Sequence, residues 1–240
     1  MKNQFLLPSL VLGGALILAS AVGAWAFFAV RALDNTLSVT GSASVSATAD
    51  SAKWQVTALR SVSADQLAGA NAGVARDTTA VVAFFTKAGI ISSQIDISPI
   101  YTDQDYSYNQ NANAPKRYAV RQEITVTSSD PQLIKKLSQD ISILGSQGIV
   151  LTIGTPEYYI SSLPSIRVSL MGKAIDDARA RVGAIASSTG QHVGALKSAA
   201  SGVVQVMAPS STDVSDYGSY DTSTIDKEVM VTARAVFFLK

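Results

Sequence analysis

The side chains that could carry chemistry are few: one histidine, His192, no cysteine, and a scatter of carboxylates in a chain of 240 residues. Without cysteine there is no disulfide, no thiolate metal site and no cysteine nucleophile. His192 has no second histidine with which to share a zinc or copper ion, and it follows the helix stop at Gly190, so it reads as a surface or turn residue. A Ser-His-Asp triad would have to use it, yet the chain has no G-x-S-x-G nucleophile elbow and no G-x-x-x-x-G-K-[ST] phosphate loop. Asp176 and Asp177 are adjacent, which on a helix turns them about 100° apart. They are expected to pair with Arg179 and Arg181 or with solvent, not to act as a catalytic carboxylate couple. No catalytic, cofactor-binding or metal-ligating residue is assigned, and the chain is expected not to be an enzyme.

Two polar loops are the least ordinary feature. TDQDYSYNQNANAPK (102–116) and PSSTDVSDYGSYDTST (209–224) both mix aspartate with tyrosine. Tyr106, Tyr108, Tyr217 and Tyr220 are the candidate contacts to a neighbouring subunit or partner, because tyrosine offers a large contact area at low entropic cost. Solvated hairpin tips are the plainer reading. Calcium is a third, since carboxylates suit hard cations, although the EF-hand spacing is absent.

Composition narrows the partners. The net charge is +1 and charged residues make up 15% of the chain, well below the usual quarter. A nucleic-acid binder needs a basic face to displace counterions, so none is expected here. Any small-molecule ligand is unspecified.

The uncharged run from Asn3 to Val30 is the strongest local signal. Phe5 to Val30 would extend roughly 39 Å as a helix, enough to cross a hydrocarbon core of about 30 Å with some tilt. Pro8 falls in the first turn, where its missing N–H costs little. Trp25, Phe27 and Phe28 crowd the far end, where aromatic rings suit an interface. The Met1 amine and Lys2 precede the run, while Arg31 and Asp34 cancel after it. That bias keeps the N-terminus in the cytoplasm and exports the remainder: a single pass through the inner (cytoplasmic) membrane, with the C-terminal domain in the periplasm or outside the cell. A cleaved signal peptide is the competing reading, because Ala24-Trp25-Ala26 fits a small-x-small site with cleavage after Ala26. Ala15, Ala19 and Gly23 are four apart, a small-residue stripe through which membrane helices can pack.

Beyond a short linker to residue 36, periodicity organises the chain. Leu37–Thr48 alternates apolar with polar over twelve residues, a half-buried strand. Lys53–Val62 alternates after an Ala49-Asp50-Ser51 turn, so the two read as a β-hairpin. A helix capped by Ser63 or Asp65 runs to about Ala88 and stops at Gly89. Strands follow at 95–102 and 118–126, a helix from Asp130-Pro131 to about Leu144, and a strand at 149–161. Ser165–Thr189 carries Ile166, Leu170, Ala174, Ala178, Val182 and Ala186 at four-residue intervals, an amphipathic helix ended by Gly190. Strands at 195–207 and 228–239 close the chain. The order β-β-α-β-β-α-β-α-β-β points to an α+β fold of antiparallel strands with helices on one face. Residues 64–127 and 166–239 repeat one order of elements, which suggests a duplicated unit.

Two segments carry a family resemblance. VTGSASVSATADSA (39–52) resembles the opening V-x-G-x-G-x-x-x-x-x-P-D-x-A of the SIMPL-domain family through Val39, Gly41, Asp50 and Ala52, with Ala43 for the second glycine and Ala49 for the proline. Residues 174–194 resemble its A-x-x-D-A-x-x-R-A-x-x-(I/L)-A-x-x-x-G-x-x-(I/L/V)-G signature through Ala174, Asp177, Ala178, Arg181, Ile185, Ala186, Gly190, Val193 and Gly194, with Val182 for one alanine. The resemblance covers residues 37–240 and makes that stretch one SIMPL-like extracytoplasmic domain behind an anchor or signal segment at 1–36. It implies a bacterial envelope protein without established enzymatic activity, some of whose relatives form ring- or channel-like oligomers. The expectation is therefore a homo-oligomer tethered to membrane lipid through its N-terminal helix, possessing no cofactor. The alternative is a secreted periplasmic monomer, a binding or stress-response module.

Overall fold

The computed structural model describes residues 6–32, 35–105, 116–213 and 215–240. Its strands and helices form an α+β fold with antiparallel sheets. The chain separates into two compact units, Met1–Ser44 with Arg167–Val204 and Met230–Lys240, and Val45–Ile166 with Gln205–Val229. Residues 37–240, read from the sequence as one domain, are distributed over both.

The first unit opens with helix α1, Leu6–Ala32. Its segment Pro8–Val30 has a mean hydropathy of 2.1 and is not buried against the rest of the chain. Strand β1 (Thr36–Thr48) follows. Late in the chain come helix α5 (Leu163–Ser188), strand β8 (Val193–Met207) and strand β10 (Asp226–Leu239). Hydrogen bonding orders these strands β1-β10-β8. The five positions that α5 buries are Leu170, Ala174, Ala178, Val182 and Ala186, the four-residue stripe read from the sequence. Ala178 and Val182 cluster with Ala235 and Phe237 of β10, flanked by Leu37, Val39, Val193 and Leu239.

The second unit is built on strand β2 (Ser51–Ser63), helix α2 (Leu67–Lys87), the short strands β3 (Ile95–Ile97) and β4 (Tyr101–Asp105), and strand β5 (Arg117–Ser128). β5 lies antiparallel to β2 from Ala52↔Ser128 to Ser63↔Arg117, with β3 and β4 on its far side. The packed face of α2 comprises Ala70, Gly73, Val74, Asp77, Thr78, Val81 and Phe85. Trp54 and Phe85 stand edge to face with centroids 5.5 Å apart at the centre of this core. Helices α3 (Pro131–Asp140) and α4 (Ser142–Ser146) occupy the span read as one helix over 130–144. Asp130 caps α3 by accepting from the Leu133 N–H at 3.0 Å, and Pro131 follows in the cap-then-Pro order. Ile134, Leu137, Ile141 and Leu144 complete the core.

Three local expectations change. β1 and β2 are not a hairpin, because they join different sheets. The intended turn is a junction: the Ala49 N–H donates to Ile225 at 2.8 Å, the Asp50 N–H donates to Tyr159 at 3.0 Å, and the Asp50 carboxylate accepts from the Ser161 N–H and hydroxyl. The strand read at 95–102 is broken, since Pro99 has no N–H for the ladder. Its pairing moves from Ile97↔Ile124 to Tyr101↔Arg121, one residue more on its own side, which is a β-bulge. The strand read at 149–161 is two pieces, β6 (Leu151–Ile153) and β7 (Glu157–Tyr159), parted by Gly154-Thr155-Pro156.

The repeated order of elements extends to topology. β1-α5-β8-β10 folds with strand order β1-β10-β8, and β2-α2-β4-β5 with order β2-β5-β4. In both, the first strand pairs with the last and the middle strand lies outside.

Candidate functional site

The signature residues of the first unit meet at one place. Gly41 lies so close to α5 that a Cβ there would sit 2.0 Å from the Ala174 carbonyl oxygen and 2.4 Å from the Ala178 amide nitrogen. Ala174 and Ala178 are fully buried beneath it, so only glycine on the strand and alanine on the helix allow this approach. One turn of α5 then places the Asp177 carboxylate to accept from the Ser42 N–H and from Arg181 Nε, each at 2.8 Å. The Ser42 amide is the main cause that holds the Asp177 carboxyl below its ordinary pKa, with Arg181 adding to it. Asp177 thus fastens helix to strand, and Arg181, one turn on in the same helix, holds its carboxylate. His192 is an exposed residue just before β8, as its place after the helix stop suggests, with its backbone N–H and C=O both paired with Lys240.

In the second unit the segments 208–213 and 215–225 pack around polar side chains. Gln205, buried to 2% exposure, donates to the Ser215 carbonyl and accepts from the Ser219 hydroxyl at 2.6 Å. The Tyr220 hydroxyl accepts from the Ile160 N–H at 2.8 Å, and its ring lies 5.9 Å from that of Tyr159. Lys227 is 1% exposed; its ammonium donates to the Asp221 carbonyl and sits 5.8 Å from the Tyr220 ring centre. Burial lowers the Lys227 pKa, and the Asp221 carboxylate acts against that fall. Burial of Asp221 would raise its own pKa, but hydrogen bonds from the Ser223 hydroxyl and amide, with Lys227 nearby, bring it below the ordinary value. Tyr220 is therefore engaged inside its own chain, whereas Tyr217 stands 97% exposed. Tyr106 and Tyr108 lie outside the described residues. The sequence reading missed Lys227, although its parity with Val229 and Val231 assigned it to the buried face of β10. It also missed Asp77, which shares a helical face with Val74 and Val81 and receives both Nε and Nη2 of Arg60, at 2.7 and 2.9 Å.

The same unit has an open polar groove of about 640 Å³ over the exposed face of β2. Lys53, Gln55 and Thr57 of β2 line it together with Thr152, Thr155 and Glu157 and with Thr222 and Ser223. β6 and β7 both pair with β2, and between them Gly154, Thr155 and Pro156 oppose only Trp54 and Gln55, one extra residue that makes a β-bulge. That bulge is fixed: the Gly154 N–H donates to the Gln55 carbonyl at 3.0 Å, and Trp54 Nε1 donates to the Gly154 carbonyl at 2.8 Å. The lining supplies hydroxyls, one amide, one ammonium and one carboxylate, the last bonded to the Tyr159 hydroxyl at 2.7 Å. It can hydrogen-bond a polar molecule. Among the described residues, no three His, Cys, Asp or Glu side chains group as metal ligands.

On α1, Ala15, Ala19 and Gly23 are all exposed, and a Cβ on Gly23 would meet nothing within 4 Å. The stripe faces open space in the single chain.

Comparison with known families gives a match over most of the chain. The family model "SIMPL: Protein of unknown function (DUF541)" matches residues 37–237. No curated protein matches the chain.

Proposed function

The chain belongs to the SIMPL family of unknown function, and from that premise we propose a non-enzymatic, membrane-anchored envelope protein that self-assembles through its SIMPL domain into a ring- or channel-like oligomer. The observation that supports it most is α1, an apolar helix over Pro8–Val30 with none of its surface covered by the rest of the chain. Such a surface is stable only in lipid or against another apolar helix. Within a bilayer, small residues at Ala15, Ala19 and Gly23 let a second α1 approach closely. Non-enzymatic action agrees with the engagement of the helix carboxylates Asp177 and Asp77, which are spent on joining helices to strands.

The test is the mass of the full-length protein extracted in detergent. A multiple of 25.1 kDa is expected, and a uniform species of 25.1 kDa would end the oligomer reading. The second reading, a secreted periplasmic monomer acting in binding or stress response, rests on Ala24-Trp25-Ala26. N-terminal sequencing of the exported protein separates the two: a mature chain that begins at Phe27 favours it, and one that retains α1 favours the anchor.

A further inference from the structure

The two outer edges of the β1-β10-β8 sheet are treated differently. A strand edge is a row of unpaired N–H and C=O groups, and proteins guard it with charge, proline, bulges or covering elements. On β1, α5 lies against the strand at Gly41, and the Asp177 carboxylate occupies the Ser42 N–H. On β8, the outer neighbour is β9 (Ser219–Tyr220), which reaches only Gln205 and Val206. Upstream of that contact no strand covers the outer edge of β8 among the described residues, and Ala195–Ser201 is exposed without interruption. The stretch Val193–Val204 has no proline and a single charge, Lys197, whose ammonium lies 5.5 Å from the centre of the Phe238 ring of its own sheet.

The chemistry of such an edge defines its occupant as another extended strand. Its sequence fits a copy of itself. With a two-fold axis at Ser198, antiparallel pairing sets Ser198 against Ser198, Lys197 against Ala199, Leu196 against Ala200, Ala195 against Ser201 and Gly194 against Gly202. No like charges face each other, and each larger side chain meets a small one. An isologous contact of this kind needs one patch to match itself, and this one does. The apolar helix α1 of the same unit, lying in a shared bilayer, holds other copies at high local concentration.

We infer that β8 is the assembly edge: two copies join antiparallel through Val193–Val204, which extends the sheet as β1-β10-β8-β8-β10-β1. This rests on the self-assembly reading above and assigns one contact within it, the two-fold contact; a ring needs a second, different interface besides. The absence of cysteine makes one introduced thiol a unique reporter. Full-length Ser198→Cys and, as the guarded-edge control, Thr40→Cys are reconstituted in phosphatidylcholine–phosphatidylglycerol liposomes and oxidised. Ser198→Cys is expected to give a covalent dimer of twice 25.1 kDa, and Thr40→Cys none. Adding Ala199→Lys sets a second ammonium opposite Lys197 of the other copy and abolishes that cross-link, while circular dichroism shows the fold unchanged. If the oligomer mass persists while Ser198→Cys does not cross-link, self-assembly stands and the β8 contact is overturned. A uniform monomer of unmodified protein overturns both. In native membranes, a Ser198→Cys product of any other mass assigns the edge to a different protein and overturns the inference as well.

Discussion

The module β2-α2-β4-β5 holds its helix by bulk, and the module β1-α5-β8-β10 holds its helix by closeness. In the first, Trp54 and Phe85 fill the space between strand and helix, and the helix aspartate, Asp77, reaches Arg60 on β2. In the second the space is absent: Gly41 lies on Ala174 and Ala178, and the helix aspartate, Asp177, reaches only a backbone N–H of β1. Both use one glycine at the contact, on the strand in one module (Gly41) and on the helix in the other (Gly73). One topology thus accommodates a thick interface or a thin one, provided that side-chain volume is adjusted on both partners together.

The sharpest way to break the comparison is to remove the bulk. Trp54→Ala is expected to cost about 3–5 kcal/mol in urea denaturation, because it leaves a cavity and frees the Gly154 carbonyl. Adding bulk to the thin interface comes next. Gly41→Ala drives a Cβ into backbone and is expected to cost about 1–3 kcal/mol. Gly73→Ala meets only the far end of the Arg60 side chain, 2.7 Å away, and gains helix propensity, so its cost stays below about 1 kcal/mol. Equal costs for the two glycines would erase the distinction between the modules. Asp77→Asn weakens a two-pronged bridge whose arginine is 38% exposed and is expected to cost about 1 kcal/mol after screening by solvent.

The smallest effects are in pH dependence. The lowered Asp177 pKa contributes stability that is present above its ordinary value near 3.8 and lost as pH falls through the depressed value in the folded state. Asp177→Asn should flatten that part of the acid unfolding profile. Lys227 acts at the other end. Its pKa is lowered from 10.5, so between the depressed value and 10.5 the unfolded chain binds more protons and stability rises with pH. Lys227→Met should remove that rise in denaturation measured across the alkaline range.

Alternation and four-residue stripes made the longer strands, α2, α5 and the α+β class legible in the sequence, because burial on one face imposes a period. Partner choice was not legible. Ala49-Asp50-Ser51 has turn composition, yet its hydrogen bonds go to Ile225, Tyr159 and Ser161, all far away in sequence. A period identifies a strand's faces and leaves its neighbours unspecified. Reading 95–102 and 149–161 as unbroken strands passed over Pro99 and Pro156, whose missing N–H is the physical cue for the breaks. The closeness at Gly41 was visible only as a signature position, since spacing alone carries no distance. The polar groove arises from pairing of β6 and β7 with β2, which no local pattern encodes.

The two modules also differ in when they can close. β2 finds β5 after only one helix and two short strands, with Ser63 facing Arg117. β1 must await β10, and Leu239 donates to Asn35 only when the chain is complete. A chain emerging N-terminus first can therefore pair β2 with β5 while β1 is still without its central neighbour. Loop-closure entropy makes the same order the faster one in refolding of the whole chain. Pulsed hydrogen exchange should find β2 and β5 amides protected before those of β1 and β10. Until the last strand arrives, β1 is an open edge directly behind an apolar helix, and this interval is when the chain is most exposed to mispairing.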